Sequence, residues 1–155
     1  MCSSDLVSTT QSIWRSGGGD QTRAAYCGSG MMAATFYIPD AATAGNVQAS
    51  SSNTSTVVLP AGAVVTQVII NDLGTGTVDL GYTGSSNGLL NDAAVTAITS
   101  VAPGGTGSGS TLGTVLNATS NVTVTNAVGG TPGTGTVGGV IVYYVTDPYN
   151  GQQNV

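Results

Sequence analysis

The chain contains no histidine, no glutamate and no lysine, and only 6% of its 155 residues are charged. An average soluble domain carries about 25%. The missing side chains exclude most enzymology. Without His or Glu there is no ordinary general acid–base pair and no Ser-His-Asp arrangement. Without Lys there is neither a Schiff-base nucleophile nor a P-loop cation. Two arginines, Arg15 and Arg23, stand against seven aspartates, for a net charge of −5. Both arginines lie in the first 30 residues, and the remainder carries Asp40, Asp72, Asp79, Asp92 and Asp147 with no cation at all. Nucleic-acid binding needs cations that displace phosphate counterions, so this body should repel DNA and RNA. No run approaches roughly 18 apolar residues, so no membrane span is expected. The opening MCSSDLVSTTQS has neither the basic nor the apolar region of a secretory signal, and free thiols are therefore the expectation for Cys2 and Cys27.

What the chain does have is 24 glycines and an abundance of Ser, Thr and Asn. Such a surface stays soluble through hydroxyls and amides. Short side chains lose little rotamer entropy when pinned, which suits dense packing against copies of itself or against a partner. Apolar residues recur with period two and are punctuated by Gly, Pro and Asn, the pattern of half-buried strands joined by turns. Six to eight short strands are expected. Met31–Asp40 reads as a strand stopped by Pro39, Thr54–Pro60 as a short strand, and Pro60-Ala61-Gly62 as a turn. Ala63–Asn71 is the clearest strand, with Val64, Thr66, Val68 and Ile70 as its better core face. Thr77–Tyr82 alternates, with Leu80 inward. A short helical corner is expected around Leu89–Ala94, with Asn91 or Asp92 as N-cap. Pro103–Gly113 is a loop, residues 129–136 a hairpin-type connection, and Val137–Val145 the most apolar strand. The expected fold is an all-β sandwich, jelly-roll-like. It divides into an extended arm at 1–30, the sandwich at 31–146 and a polar tail at 147–155.

Candidate chemistry is sparse, and no catalytic residue, cofactor or metal is expected. Asp72, Asp79, Asn91 and Asp92 are oxygen donors of the kind calcium takes, but no D-x-D-x-D-G run is present, and each is a common turn or cap residue. GTGTVDLG precedes a strand and not a helix, so it lacks the geometry of a phosphate loop. Asn53, Asn117 and Asn121 open N-x-S/T triplets, which a Ser/Thr-rich chain produces by chance.

The arm holds the only tryptophan, both arginines and both cysteines, with too little apolar content to fold alone. Trp and Arg are the types most enriched at binding hot spots. Trp14, Arg15, Arg23 and Tyr26 are therefore the candidate partner-binding residues, with Trp14 as anchor.

The order LPAGAVVTQVIIN, a turn, VDLGYTG, then SSNGLLNDAAV, and later the apolar strand GGVIVYYV, resembles a module of small β-rich virion surface proteins of tailed bacteriophages, of the head decoration or cement type. The resemblance spans roughly residues 55–146 and rests on the order of several soft motifs. It implies a structural virion protein on the outer capsid surface, assembled in the host cytoplasm. Its partners would be the major capsid protein and copies of itself as a dimer or trimer, with no nucleic acid and no membrane. The competing expectation is a tail-fibre or knob module binding host glycans through Tyr82, Tyr143, Tyr144 or Tyr149.

Overall fold

The computed structural model describes residues 31–126 and 130–146. The arm and the tail, with Trp14, Arg15, Arg23, Tyr26, both cysteines and Tyr149, lie outside the described residues. Nine strands follow one another: β1 (Met32–Ile38), β2 (Gly45–Asn46), β3 (Val58–Leu59), β4 (Ala63–Asp72), β5 (Thr77–Tyr82), β6 (Ser85–Ala94), β7 (Thr99–Val101), β8 (Ser120–Asn126) and β9 (Val137–Val145). No helix occurs among the described residues.

The strands form two antiparallel sheets, one ordered β1-β9-β4-β7 and the other β2-β8-β5-β6, with β3 also pairing β8. The pairing is nested. β1 meets β9, β2 meets β8, β4 meets β7 and β5 meets β6. A long antiparallel ribbon folded over itself in this way is a jelly roll, as the sequence pattern leads one to expect. Its core lies between the sheets. Ile38, Leu59, Val68, Ile70, Leu80, Leu90 and Ile141 are wholly buried there, each contributing about 1.5–3 kcal/mol by leaving water.

Four expectations are corrected. The helical corner at Leu89–Ala94 is part of β6, and Asn91 and Asp92 cap no helix. Leu89, Leu90 and Ala93 of β6 and Val95 just past it are buried, with bulges breaking the strand period, and burial in the core overrides a weak local preference. The hairpin-type connection expected over 129–136 joins no paired strands, because β8 and β9 belong to different sheets; residue 129 lies outside the described residues, and residues 130–136 lead into β9. Residues 130–136 are held by Thr75 and Thr134, which exchange both backbone hydrogen bonds. Val64 is buried but stands outside the core cluster, whereas its neighbours Ala63 and Val65 are in it. The cause is a bulge: Val65 pairs Tyr143 but Gln67 pairs Val142. The extra residue, Thr66, switches the inward face from Ala63 and Val65 to Val68 and Ile70. The strand read over Thr54–Pro60 shrinks to Val58–Leu59, stopped by Pro60 as expected. Gly62, at φ +83°, makes the turn into β4.

Candidate functional site

The aspartates do not converge. Asp40 closes its own turn, accepting from the Ala42 N–H at 3.0 Å and the Thr43 hydroxyl at 3.2 Å. Asp72 ends β4 opposite Gly138. Asp79 and Asp92 are the one functional-looking pair. In the β5–β6 ladder Val78 meets Ala93 and Leu80 meets Leu90. Two residues of β6, Asn91 and Asp92, therefore oppose the single Asp79. At this bulge Asp92 takes φ +52°, the only non-glycine with positive φ among the described residues. The buried Asp79 carboxylate, 2% exposed, accepts the Asp92 backbone N–H at 2.7 Å. The Asp92 carboxylate accepts the Gly130 N–H at 3.0 Å. The pair thus ties β5, β6 and Gly130 together through backbone amides. Asn91 turns away, receiving a hydrogen bond on Oδ1 from the Asn87 amide at 2.8 Å. Among the described residues no three His, Cys, Asp or Glu side chains gather as metal ligands would.

The described tyrosines that the glycan reading names form no platform. Tyr82 and Tyr143 pack against the core, so their rings are engaged from inside. Tyr144 lies half-buried on the opposite face of β9. The outer face of the second sheet carries a shallow open groove of about 580 Å³ beside Gly45, Asn46, Ser85, Ser86, Thr123 and Thr125, with Tyr82 at its margin. Its lining has amides and hydroxyls but no charge.

The other large feature is the outer face of the first sheet. Its cross-strand rows are Ala33–Val142–Gln67 and Thr35–Val140–Ile69–Ser100. All of these side chains are half-buried or exposed, and none is charged. The Gln67 side-chain amide donates to the Ser100 hydroxyl at 2.6 Å, tying β4 to β7 across this face. Sequence alternation places Gln67 and Ile69 outward, as found, and the bulge at Thr66 overturns the assignment only of the residues before it.

No family model and no curated protein matches the chain. Among solved structures, a chain of the Cyanophage Pam1 capsid asymmetric unit is similar at 23% identity and a TM-score of 0.45, over 77% of this chain and 88% of that one. That structure is of a phage capsid.

Proposed function

We propose that this protein is a structural component of a phage virion, a decoration or cement protein that binds the outside of the head and clamps adjacent major capsid subunits. The observation that carries this reading is the uncharged, part-apolar outer face of the β1-β9-β4-β7 sheet on a jelly roll in which three of the four described aspartates, Asp40, Asp79 and Asp92, accept hydrogen bonds from its own backbone. Jelly rolls serve capsids and lectins alike, and fold by itself does not choose between them. The choice rests on the site: a broad face without an aromatic platform suits protein contact better than sugar stacking. A clamp of this kind binds the assembled shell and not the free subunits, and so stabilises the shell by mass action.

In this reading the protein is no enzyme and takes no cofactor. It assembles in the host cytoplasm and stays off the genome because its body has no cation. The arm supplies the anchor, with Trp14 buried against the neighbour and Arg15 and Arg23 bonded to its carbonyls or carboxylates. The test is to add the purified chain to heads that lack it and image them. Density on the outer surface between capsid subunits is expected, and Trp14→Ala should weaken binding about 30-fold or more, as loss of a hot spot does. Density on the tail alone, or binding to host polysaccharide and not to heads, would replace this reading with the glycan-binding one.

A further inference from the structure

The groove on the second sheet is shaped by one glycine. On β8, Val122 and Val124 are buried in the core, so by strand alternation Thr123 and Thr125 face outward. Asn46 of β2 and Gly81 of β5 stand opposite Thr123 and share its face. Across the groove the outer face thus offers an amide, a hydroxyl and then no side chain at all. A Cβ at Gly81 would run into the backbone of Ser85 and Ser86. The start of β6 therefore lies over Gly81, on the outer side of the sheet. The Thr125 hydroxyl donates to the Ser86 carbonyl at 3.5 Å and ties this raised segment to β8. β2 forms the opposite bank. The space between them, about 580 Å³, falls within the size range of small-ligand sites.

The polar groups of this groove are not spent on the fold. Among the described residues, no hydrogen bond within the chain engages the Asn46 side-chain amide, the Thr123 hydroxyl or the Ser86 hydroxyl. The hydroxyls of Thr66, Thr77 and Thr111, by contrast, donate to carbonyls of the chain. Amides and hydroxyls both donate and accept, as the hydroxyls of a sugar do. Other ligand classes fit less well. A phosphate or carboxylate would meet no cation here, and the described body carries four aspartates and no cation to attract one. An apolar chain would find no free hydrophobic anchor, because Val124 and Tyr82 beside the groove pack against the core. With Tyr82 engaged there, recognition in the groove is by hydrogen bonds and not by stacking on a ring.

We propose that this groove binds an uncharged saccharide, with the Asn46 amide and the Thr123 and Ser86 hydroxyls recognising its hydroxyl groups. The site lies on the other sheet from the face assigned above to the capsid contact. It does not rest on that assignment, and both surfaces can be occupied at once. A groove with a few neutral hydrogen bonds binds weakly, with a Kd on the order of 1 mM or above for one copy. Copies carried on one particle add avidity.

The experiment is a titration of the isotope-labelled full-length protein with the methyl pyranosides of glucose, mannose, galactose and N-acetylglucosamine, followed by amide chemical shifts. Saturable shifts at Asn46, Thr123 and Ser86 are expected with at least one of the four, while Ile69 and Val140 on the other sheet stay unmoved. Asn46→Ala combined with Thr123→Val removes two of the recognising groups from strand positions that tolerate the new residues. It should weaken binding by about tenfold or more, with the shifts of Leu80 and Ile141 reporting an intact fold. No saturable shift with any of the four sugars overturns the proposal. So do shifts confined to residues outside the groove, and so does undiminished binding by the double variant. If the unsubstituted chain shows no sugar shift and the double variant no longer attaches to heads, the groove belongs to a capsid subunit instead.

Discussion

Replacing Asp79 by alanine should cost far more than its modest appearance in the sequence suggests. The carboxylate sits inside β5 and accepts the Asp92 backbone N–H at 2.7 Å. That N–H is freed by the β6 bulge and has no place in the ladder. Without Asp79 it becomes a part-buried donor lacking its acceptor, and a bond to a charged group is worth about 1.5–3 kcal/mol. The left-handed backbone of Asp92 costs a further 1–3 kcal/mol or so, which the cap helps to hold in place. A net loss of about 2–3 kcal/mol is expected. For a domain of this size that lowers Tm by roughly 6–12 °C, read by thermal unfolding followed by circular dichroism. Asp79→Asn keeps an acceptor oxygen and should recover about half of the loss. The Asp79→Ala loss should also persist in an Asp92→Gly background, because the lost bond goes to backbone. A shift corresponding to about 0.5 kcal/mol or less, the scatter of surface substitutions, would refute the capping account.

Gly139→Ala should destabilise by about 3 kcal/mol, since its added Cβ would meet the Ile69 carbonyl and the Phe36 ring, while Gly45→Ala, with nothing within 4 Å, should be neutral; denaturant midpoints of the two compare them directly. Ile141→Ala, at the centre of the most apolar strand and fully buried, should cost about 2–5 kcal/mol in the same assay.

Much of the fold is legible in the residues. Ala63–Asn71 and Val137–Val145 announce themselves by period-two alternation, and Pro60-Ala61-Gly62 by turn chemistry. The segment Ser85–Ala94 misleads because its bulges break the period: the eye meets Leu89-Leu90 and Ala93-Ala94 as pairs, which resemble a short helix more than a strand. The connection read over 129–136 misleads because glycine-rich turns between strands look alike whether the strands pair or part. Which sheet a strand joins depends on non-local burial, and a local pattern does not encode that. The candidate site was less legible. Asp79 and Asp92, read from the sequence as turn or cap residues, lie instead inside β5 and β6. The specific partnership of Asp79 with the Asp92 amide follows only from the two-against-one count at the bulge.

The scarcity of charge bears on the surface as well as on chemistry. Soluble β-proteins commonly keep sheets apart by placing lysine or other charges at edges and on outer faces. Here no described residue is a cation, and the four described aspartates are Asp40, Asp72, Asp79 and Asp92. Of these, three are bonded to the molecule's own turns and bulges. Nothing on the row Thr35–Val140–Ile69–Ser100 would repel an approaching neutral surface, and short side chains make docking there cheap in rotamer entropy. The edges, by contrast, are closed by backbone at β6, where Asn91 donates to the Gly107 carbonyl, and at the C-terminal half of β1, where Gln48 and Tyr37 exchange both bonds. On the reading proposed above, backbone-closed edges suppress indiscriminate strand pairing while the flat neutral face serves a matched neighbour. Placing a single lysine at Val140, in the middle of that row, should therefore leave the fold intact, because the side chain points outward. It should abolish attachment to heads if that face is the contact. Unchanged attachment of Val140→Lys would move the contact to the arm or to the groove of the second sheet.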